Sequence, residues 1–123
     1  MHHMTTQPPN PQQFIPLTPA VFNILLALSE DDKHGYAILQ SIAQRTGGQV
    51  RMGTGTLYGI IKRLLADGWI EEIDERPDPS LDDERRRYYR LTRLGAQVAS
   101  AEAERMAQLV KVARQQGLLP DPE

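Results

Sequence analysis

Apolar positions recur at helical spacing through most of this chain and give way to a β-prone pattern between residues 69 and 91. In "GTGTLYGIIKRLLADGWIE", residues 53–71, Leu57, Ile60, Ile61, Leu64 and Leu65 fall at i, i+3, i+4, i+7 and i+8. That spacing is the inner side of an amphipathic helix, which Gly68 ends. Upstream, Thr18 is a good N-cap and Pro19 suits the first helical position. "AVFNILLALSE" therefore reads as a largely buried helix closed by the acidic turn Glu30-Asp31-Asp32. "HGYAILQSIAQRTGG" predicts a shorter helix with Ile38, Leu39, Ile42 and Ala43 inward, and Gly47-Gly48 supplies its left-handed stop. "QVRM" is a short extended link to the helix of residues 53–71.

Past Gly68, "WIEEIDE" and "RRRYYRL" are rich in Trp, Ile and Tyr and predict two strands. "RPDPSLDDE" joins them and is too irregular for a two-residue turn. Thr92 then caps a final helix that stops at Gly117. An isolated hairpin is marginal in water, so this one must lie on the helices. The fold class expected is mainly α with a small β hairpin, a winged helix-turn-helix with a C-terminal dimerisation helix. The divisions expected are a flexible N-terminal arm over 1–16, the DNA-binding domain over 17–91, the last helix over 92–117 and a tail over 118–123. The arm holds Pro8, Pro9, Pro11 and Pro16, with Phe14 and Ile15 as the residues placed to dock.

Composition narrows the class. A chain of 123 residues, 40% hydrophobic, is long enough for one modest core. The absence of cysteine excludes a disulfide framework and a thiolate metal site and suits a reducing cytosol, so a cytoplasmic location is expected. No apolar run approaches the ~18 residues of a membrane span, and no signal-peptide pattern opens the chain. The net charge of −2 argues against a polyanion partner, but the charge is segregated. From Lys33 to Ala66 there is no acid, against Lys33, Arg45, Arg51, Lys62 and Arg63. From Arg85 to Ala101 there is again none, against Arg85, Arg86, Arg87, Arg90 and Arg93. Acids collect at Glu30 to Asp32, at Asp67 to Asp83 and in the C-terminal helix and tail. Either two ordinary solvated surfaces or a footprint for nucleic acid would produce this pattern.

The outer side of the 53–71 helix favours the second reading. At 100° per residue it holds Gly55, Tyr58, Gly59, Lys62 and Ala66, flanked by Thr56 and Arg63. Each interior Gly costs roughly 1 kcal/mol relative to Ala, so a thin exposed side calls for a reason. The major groove of B-DNA, about 12 Å wide, admits a helix only snugly. Thr54 and Thr56 sit where unpaired N–H groups and the helix dipole favour a phosphate. The other explanation is that Gly55 and Gly59 let a second helix of the same protein approach closely. In the second strand, Leu91, Tyr89 and Arg87 share the core side by alternation, and Arg86, Tyr88 and Arg90 point away. Trp69 is expected in the core where helix meets strand. Along the last helix, Leu94, Val98, Ala101, Met106, Leu109, Val110, Val112 and Ala113 form an apolar stripe longer than a small domain can cover. A partner subunit is the economical explanation.

"HGYAI", "GTLYGIIKRLLADGWIE" and "RRRYYRLTRLGAQVA", in that order, resemble the PadR family of transcriptional regulators over residues 17 to about 101. The resemblance implies a winged helix-turn-helix that binds promoter DNA, a C-terminal helix that pairs two subunits, and a bacterial repressor released by a small effector. It places Gly55-Thr56-Leu57-Tyr58 at the start of the recognition helix and His34-Gly35-Tyr36 at the start of the supporting one. Tyr36 would hold a phosphate or cap the core, and His34 is a turn residue before it is a ligand. The arginines Arg86, Arg87 and Arg90, with Tyr88, would be wing contacts to phosphate or minor groove. Members that bind flat aromatic drugs carry a tryptophan on the last helix, whereas the only tryptophan here is Trp69.

The DNA-facing set expected is therefore Tyr36, Arg51, Thr54, Thr56, Tyr58, Lys62, Arg63, Arg86, Arg87, Tyr88 and Arg90. The partners expected are double-stranded DNA, a second copy and an unassigned effector, with no cofactor and no metal. An enzyme is the first alternative, but no metalloprotease, phosphate-loop or nucleophile-elbow motif occurs. Glu71 and Glu72, adjacent in a strand, face opposite ways and make a poor acid–base pair. The second alternative is a winged-helix module for protein contact, which would tolerate acids on the outer face of the 53–71 helix.

Overall fold

The computed structural model describes residues 9–73 and 87–122. Helix α1 (Pro19–Glu30) begins as the sequence demands: the Thr18 hydroxyl accepts from the Val21 N–H at 3.2 Å, and Pro19 takes the first position. Ile24, Leu25, Ala27 and Leu28 are its buried residues. Helix α2 (Gly35–Arg45) is capped by His34, whose Nδ1 accepts from the Ala37 N–H at 3.1 Å. Gly47 and Gly48 then turn the chain with φ of 62° and 82°. Helix α3 (Thr54–Ala66) buries Leu57, Ile61 and Leu64. Leu65, expected on the inner side, is exposed. It lies about 80° around the helix from Leu57 and about 100° from Leu64, at the margin of the arc those residues centre.

Strands β2 (Ile70–Ile73) and β3 (Tyr88–Leu91) pair antiparallel with Glu71 opposite Arg90 and Glu72 opposite Tyr89. The joining segment and Arg86 lie outside the described residues. A further strand, β1 (Lys33–His34), pairs with β3 through Lys33 opposite Tyr89, giving a three-stranded sheet ordered β1-β3-β2. The two-stranded hairpin expected from sequence is therefore incomplete. Its missing strand is a two-residue pairing, too short to carry a period. Alternation holds within β3, where Tyr89 is buried and Arg90 exposed, but Arg87, expected on the core side, is exposed because it lies before the strand begins at Tyr88.

Helix α4 (Arg93–Gln115) closes the core from the other end. Thr92 makes the junction: its N–H donates to the Trp69 carbonyl at 3.0 Å, and its hydroxyl donates to the Gly68 carbonyl and accepts from the Gly95 N–H. Val98 and Ala101 of α4 are buried with the α1, α2 and α3 residues and with Trp69, Ile70 and Tyr89. Residues 11–16, expected within a flexible arm, are instead held. Pro11–Phe14 forms a 3-10 turn, and the Phe14 ring meets Trp69 edge-on at 5.3 Å. The Leu17 N–H donates to the fully buried Glu102 carboxylate at 3.0 Å, which Arg105 grips through Nε at 2.6 Å and through its second nitrogen at 3.0 Å. Arg105 holds the Glu102 carboxyl below the usual carboxylate range, with the Leu17 N–H assisting against the opposing push of burial.

Candidate nucleic-acid interface

The inner residues of α3 turn its other side outward. A Cβ built at Gly55 or at Gly59 finds no atom of the described chain within 4 Å. These glycines do not make room for another helix of the same chain, which removes the explanation by internal packing. Lys62 and Arg63 are exposed and make no ion pair among the described residues. Thr54 and Thr56 are exposed at the helix start, where Gly53 is the N-cap and no side chain caps the first turn. Helices α1, α2 and α4 all have side-chain caps, so α3 alone among them presents its leading N–H groups uncovered.

Tyr58 stands on one flank of this face, 48% exposed, with its ring over Gly35 at the start of α2. The Tyr89 phenol is pushed up by burial first and by the nearby Tyr58 hydroxyl second. Tyr36 is 61% exposed and stacks on His34 at 6.5 Å, and His34 meets Tyr88 edge-on at 5.4 Å. The start of α2 and the wing strand β3 thus share one aromatic cluster, and Tyr58 of α3 lies against Gly35 beside it in sequence. Gly35 is the residue that the sequence left without a role of its own; its signal was the HGY tripeptide, placed only at the start of the supporting helix.

The other predicted cations are distributed unevenly. Lys33 bonds the Ala27 carbonyl at 2.8 Å and pairs with Glu30 and Asp31, and Arg45 pairs with Glu30 at 2.9 Å. The Arg45 and Lys33 hydrogen bonds hold the Glu30 carboxyl below its ordinary value. The acid-free run from Lys33 to Ala66 is thus partly neutralised by acids just before it, and Arg51, Lys62 and Arg63 remain. Arg51 folds back so that its Nε donates to the Gly48 carbonyl at 3.3 Å. In the wing, Arg87 pairs with Glu72 at 3.2 Å and Arg90 with Glu71 at 2.8 Å. The sequence separation of 15 and 19 residues concealed both.

The stripe of α4 divides in two. Leu94 packs against the core, and Val98 and Ala101 are buried within it, so the chain covers by itself the part expected to meet a partner. Farther on, Met106, Val112 and Ala113 are half-covered, while Leu109 is 56% and Val110 39% exposed. Among the described residues there is no group of His, Asp and Glu able to hold a metal ion and no helix long and apolar enough to cross a membrane.

Three helices, a small sheet whose strands flank the third helix, and a thin basic outer face define a winged helix-turn-helix protein of the DNA-binding class. The PadR-like family of transcriptional regulators matches residues 24–101, and the chain belongs to that family. An uncharacterised 37.1 kDa protein in transposon Tn4556 of Streptomyces fradiae is 36% identical over 86 residues, which are 70% of this chain and 22% of that protein. The chain therefore spans about a fifth of that relative. An uncharacterised protein X of Lysinibacillus sphaericus is 32% identical over 89 residues, 72% of this chain and 79% of that one. Among solved structures, a PadR family transcription regulator from Clostridium difficile superposes with a TM-score of 0.64 at 25% identity, covering 77% of this chain and 94% of its own. Bordetella bronchiseptica BpsR, whose DNA binding is regulated by 6-hydroxynicotinic acid, superposes with a TM-score of 0.61 at 26% identity, covering 89% of this chain and 75% of its own.

Proposed function

We propose that this chain is a homodimeric, sequence-specific repressor of transcription that inserts α3 into the major groove and is released by a small effector. The observation that carries the reading is the outer face of α3. Gly55 and Gly59 open onto empty space, the first turn is uncapped, and Lys62 and Arg63 are without ion pairs among the described residues. Thr54, Thr56 and the helix start would hold phosphate, and Thr56, Tyr58 and Lys62 would supply base discrimination. Tyr36 and Arg51 are exposed, and Arg51 would reach DNA after releasing Gly48. Arg87 and Arg90 would have to exchange Glu72 and Glu71 for phosphate, so each is worth less here than an unpaired lysine. Arg86 keeps the role its place beside them suggests.

The exposed part of α4 supports pairing of two copies. Met106, Leu109, Val110, Val112 and Ala113 would meet their counterparts about a two-fold axis, and two recognition helices would then lie about 34 Å apart, one turn of DNA. The regulation of BpsR by 6-hydroxynicotinic acid supports an effector of comparable size. Selection from random duplex DNA, followed by titration of the winner at several salt concentrations, tests the reading. The expected result is a two-fold symmetric site whose log K falls by ~0.9 per phosphate contacted. Failure to enrich any sequence, with weak binding even at low salt, would move the protein to the protein-contact alternative.

A further inference from the structure

Gly35 opens α2 and is buried, although the next residue, Tyr36, is 61% exposed. What lies over it is the ring of Tyr58 from α3. A methyl group at Gly35 would land on the Tyr58 hydroxyl and lie 2.7 Å from Cζ and 3.3 Å from Cε1, inside the ~3.5–4.0 Å that carbon atoms keep. Gly35 is not among the residues with positive φ, so its backbone does not require glycine. The space does.

We infer that Gly35 is a positioning residue for operator recognition: by having no side chain it seats the Tyr58 ring across the start of α2 and keeps the groove-facing side of α3 thin. The inference rests on α3 being the DNA-reading helix. The seat has a floor, the Gly35 backbone, against which the hydroxyl end of the Tyr58 ring lies. About half of the Tyr58 surface faces outward. On one flank of α3, Tyr58 thus lies down; between it and Arg63 on the opposite flank, Gly55, Gly59 and Lys62 form the surface that approaches the base edges.

Alanine at Gly35 would collide only with the far end of a side chain that turns about two single bonds, not with backbone. The ring would swing out of its seat. At the first position of α2, alanine asks nothing of the backbone that glycine does not already give, since φ there is not positive. Gly35→Ala is therefore expected to leave the fold intact while spoiling recognition, a combination that a merely structural glycine would not give.

The test is a double-mutant cycle of Gly35→Ala and Tyr58→Ala, with Lys62→Ala in parallel. It reads binding to the duplex recovered by selection, binding to an unrelated duplex, and the melting temperature. Gly35→Ala should weaken the selected duplex at least tenfold, leave the unrelated duplex and the melting temperature unchanged, and add less than twofold once Tyr58 is alanine. An equal loss in both backgrounds, or a melting temperature lowered in both, overturns the inference. If Lys62→Ala weakens binding while Gly35→Ala does not, this inference falls and the DNA-reading role of α3 stands. Proton NMR checks the seat without DNA: Tyr58 ring protons should show close contacts to the amides of residues 34–36, lost in Gly35→Ala. Their absence from the unaltered protein would also overturn it.

Discussion

Gly95 and Gly59 both lie inside helices, and a methyl group added to each meets opposite surroundings. At Gly95 it would strike the Trp69 carbonyl oxygen and sit 2.8 Å from the carbonyl carbon and 3.2 Å from Cα, all of them backbone. At Gly59 it would meet nothing within 4 Å. The first glycine is demanded by the interior, because α4 must come this close for Thr92 to bond Trp69 and Gly68. The second is demanded by nothing among the described residues, and it lowers the stability of α3. Under the proposed reading, what shapes that exposed surface is the DNA it would meet.

Four substitutions break or sharpen that contrast. Gly95→Ala should cost the most, about 3 kcal/mol, because backbone cannot yield as a side chain does. Urea unfolding measures it, and an unmoved midpoint would mean that α4 slides freely over Trp69. Glu102→Ala attacks a second internal contact of α4, leaving the Leu17 N–H without its acceptor, at about 1–3 kcal/mol. Because the folded Glu102 carboxyl titrates below its unfolded value, its contribution is complete above the ordinary carboxylate range and is lost as pH falls through the depressed value. Thermal melts from pH 7 down to about pH 3 should therefore fall more steeply for the unaltered protein than for Glu102→Ala.

Gly59→Ala reverses the sign. It should stabilise by about 0.5–1 kcal/mol while weakening operator binding in a gel-shift titration; stabilisation with affinity intact would show that α3 does not need its thinness. Lys62→Ala has the smallest effect on folding, within about 0.5 kcal/mol. Affinity should nevertheless drop and the salt slope should shrink by about one contact's worth. A large loss of stability would instead make Lys62 part of the fold.

Much of this architecture was legible in the sequence because its signals are local. Thr18-Pro19 announces α1 through cap chemistry, and Leu57, Ile61 and Leu64 announce the inner side of α3 through their period. Strand β1 was not legible, since Lys33 finds Tyr89 only after the chain has folded and two residues carry no period. The same distance hid the Arg90–Glu71 and Arg87–Glu72 pairs, which temper the basic wing that charge segregation suggested. Periodicity found the apolar side of α4 but could not tell how far along it the domain reaches. Val98 and Leu109 look alike in the pattern, yet one is in the core and the other is exposed. The outer face of α3 was legible as composition, whereas the dependence of Tyr58 on Gly35 needed coordinates.

The bond from the Leu17 N–H to Glu102 spans 85 residues of chain. At roughly 5–20 residues per second on a ribosome, Leu17 is synthesised ~4–17 s before its acceptor exists. For most of that interval α1 has its apolar residues Ile24 and Leu25 made but not yet Val98, which shares their core. Helix α4, made after α1, is thus the one that fastens the residues just before α1. A translation product broken off between residues 66 and 102 would carry the whole of α3 and yet lack the clasp that holds Leu17 in place.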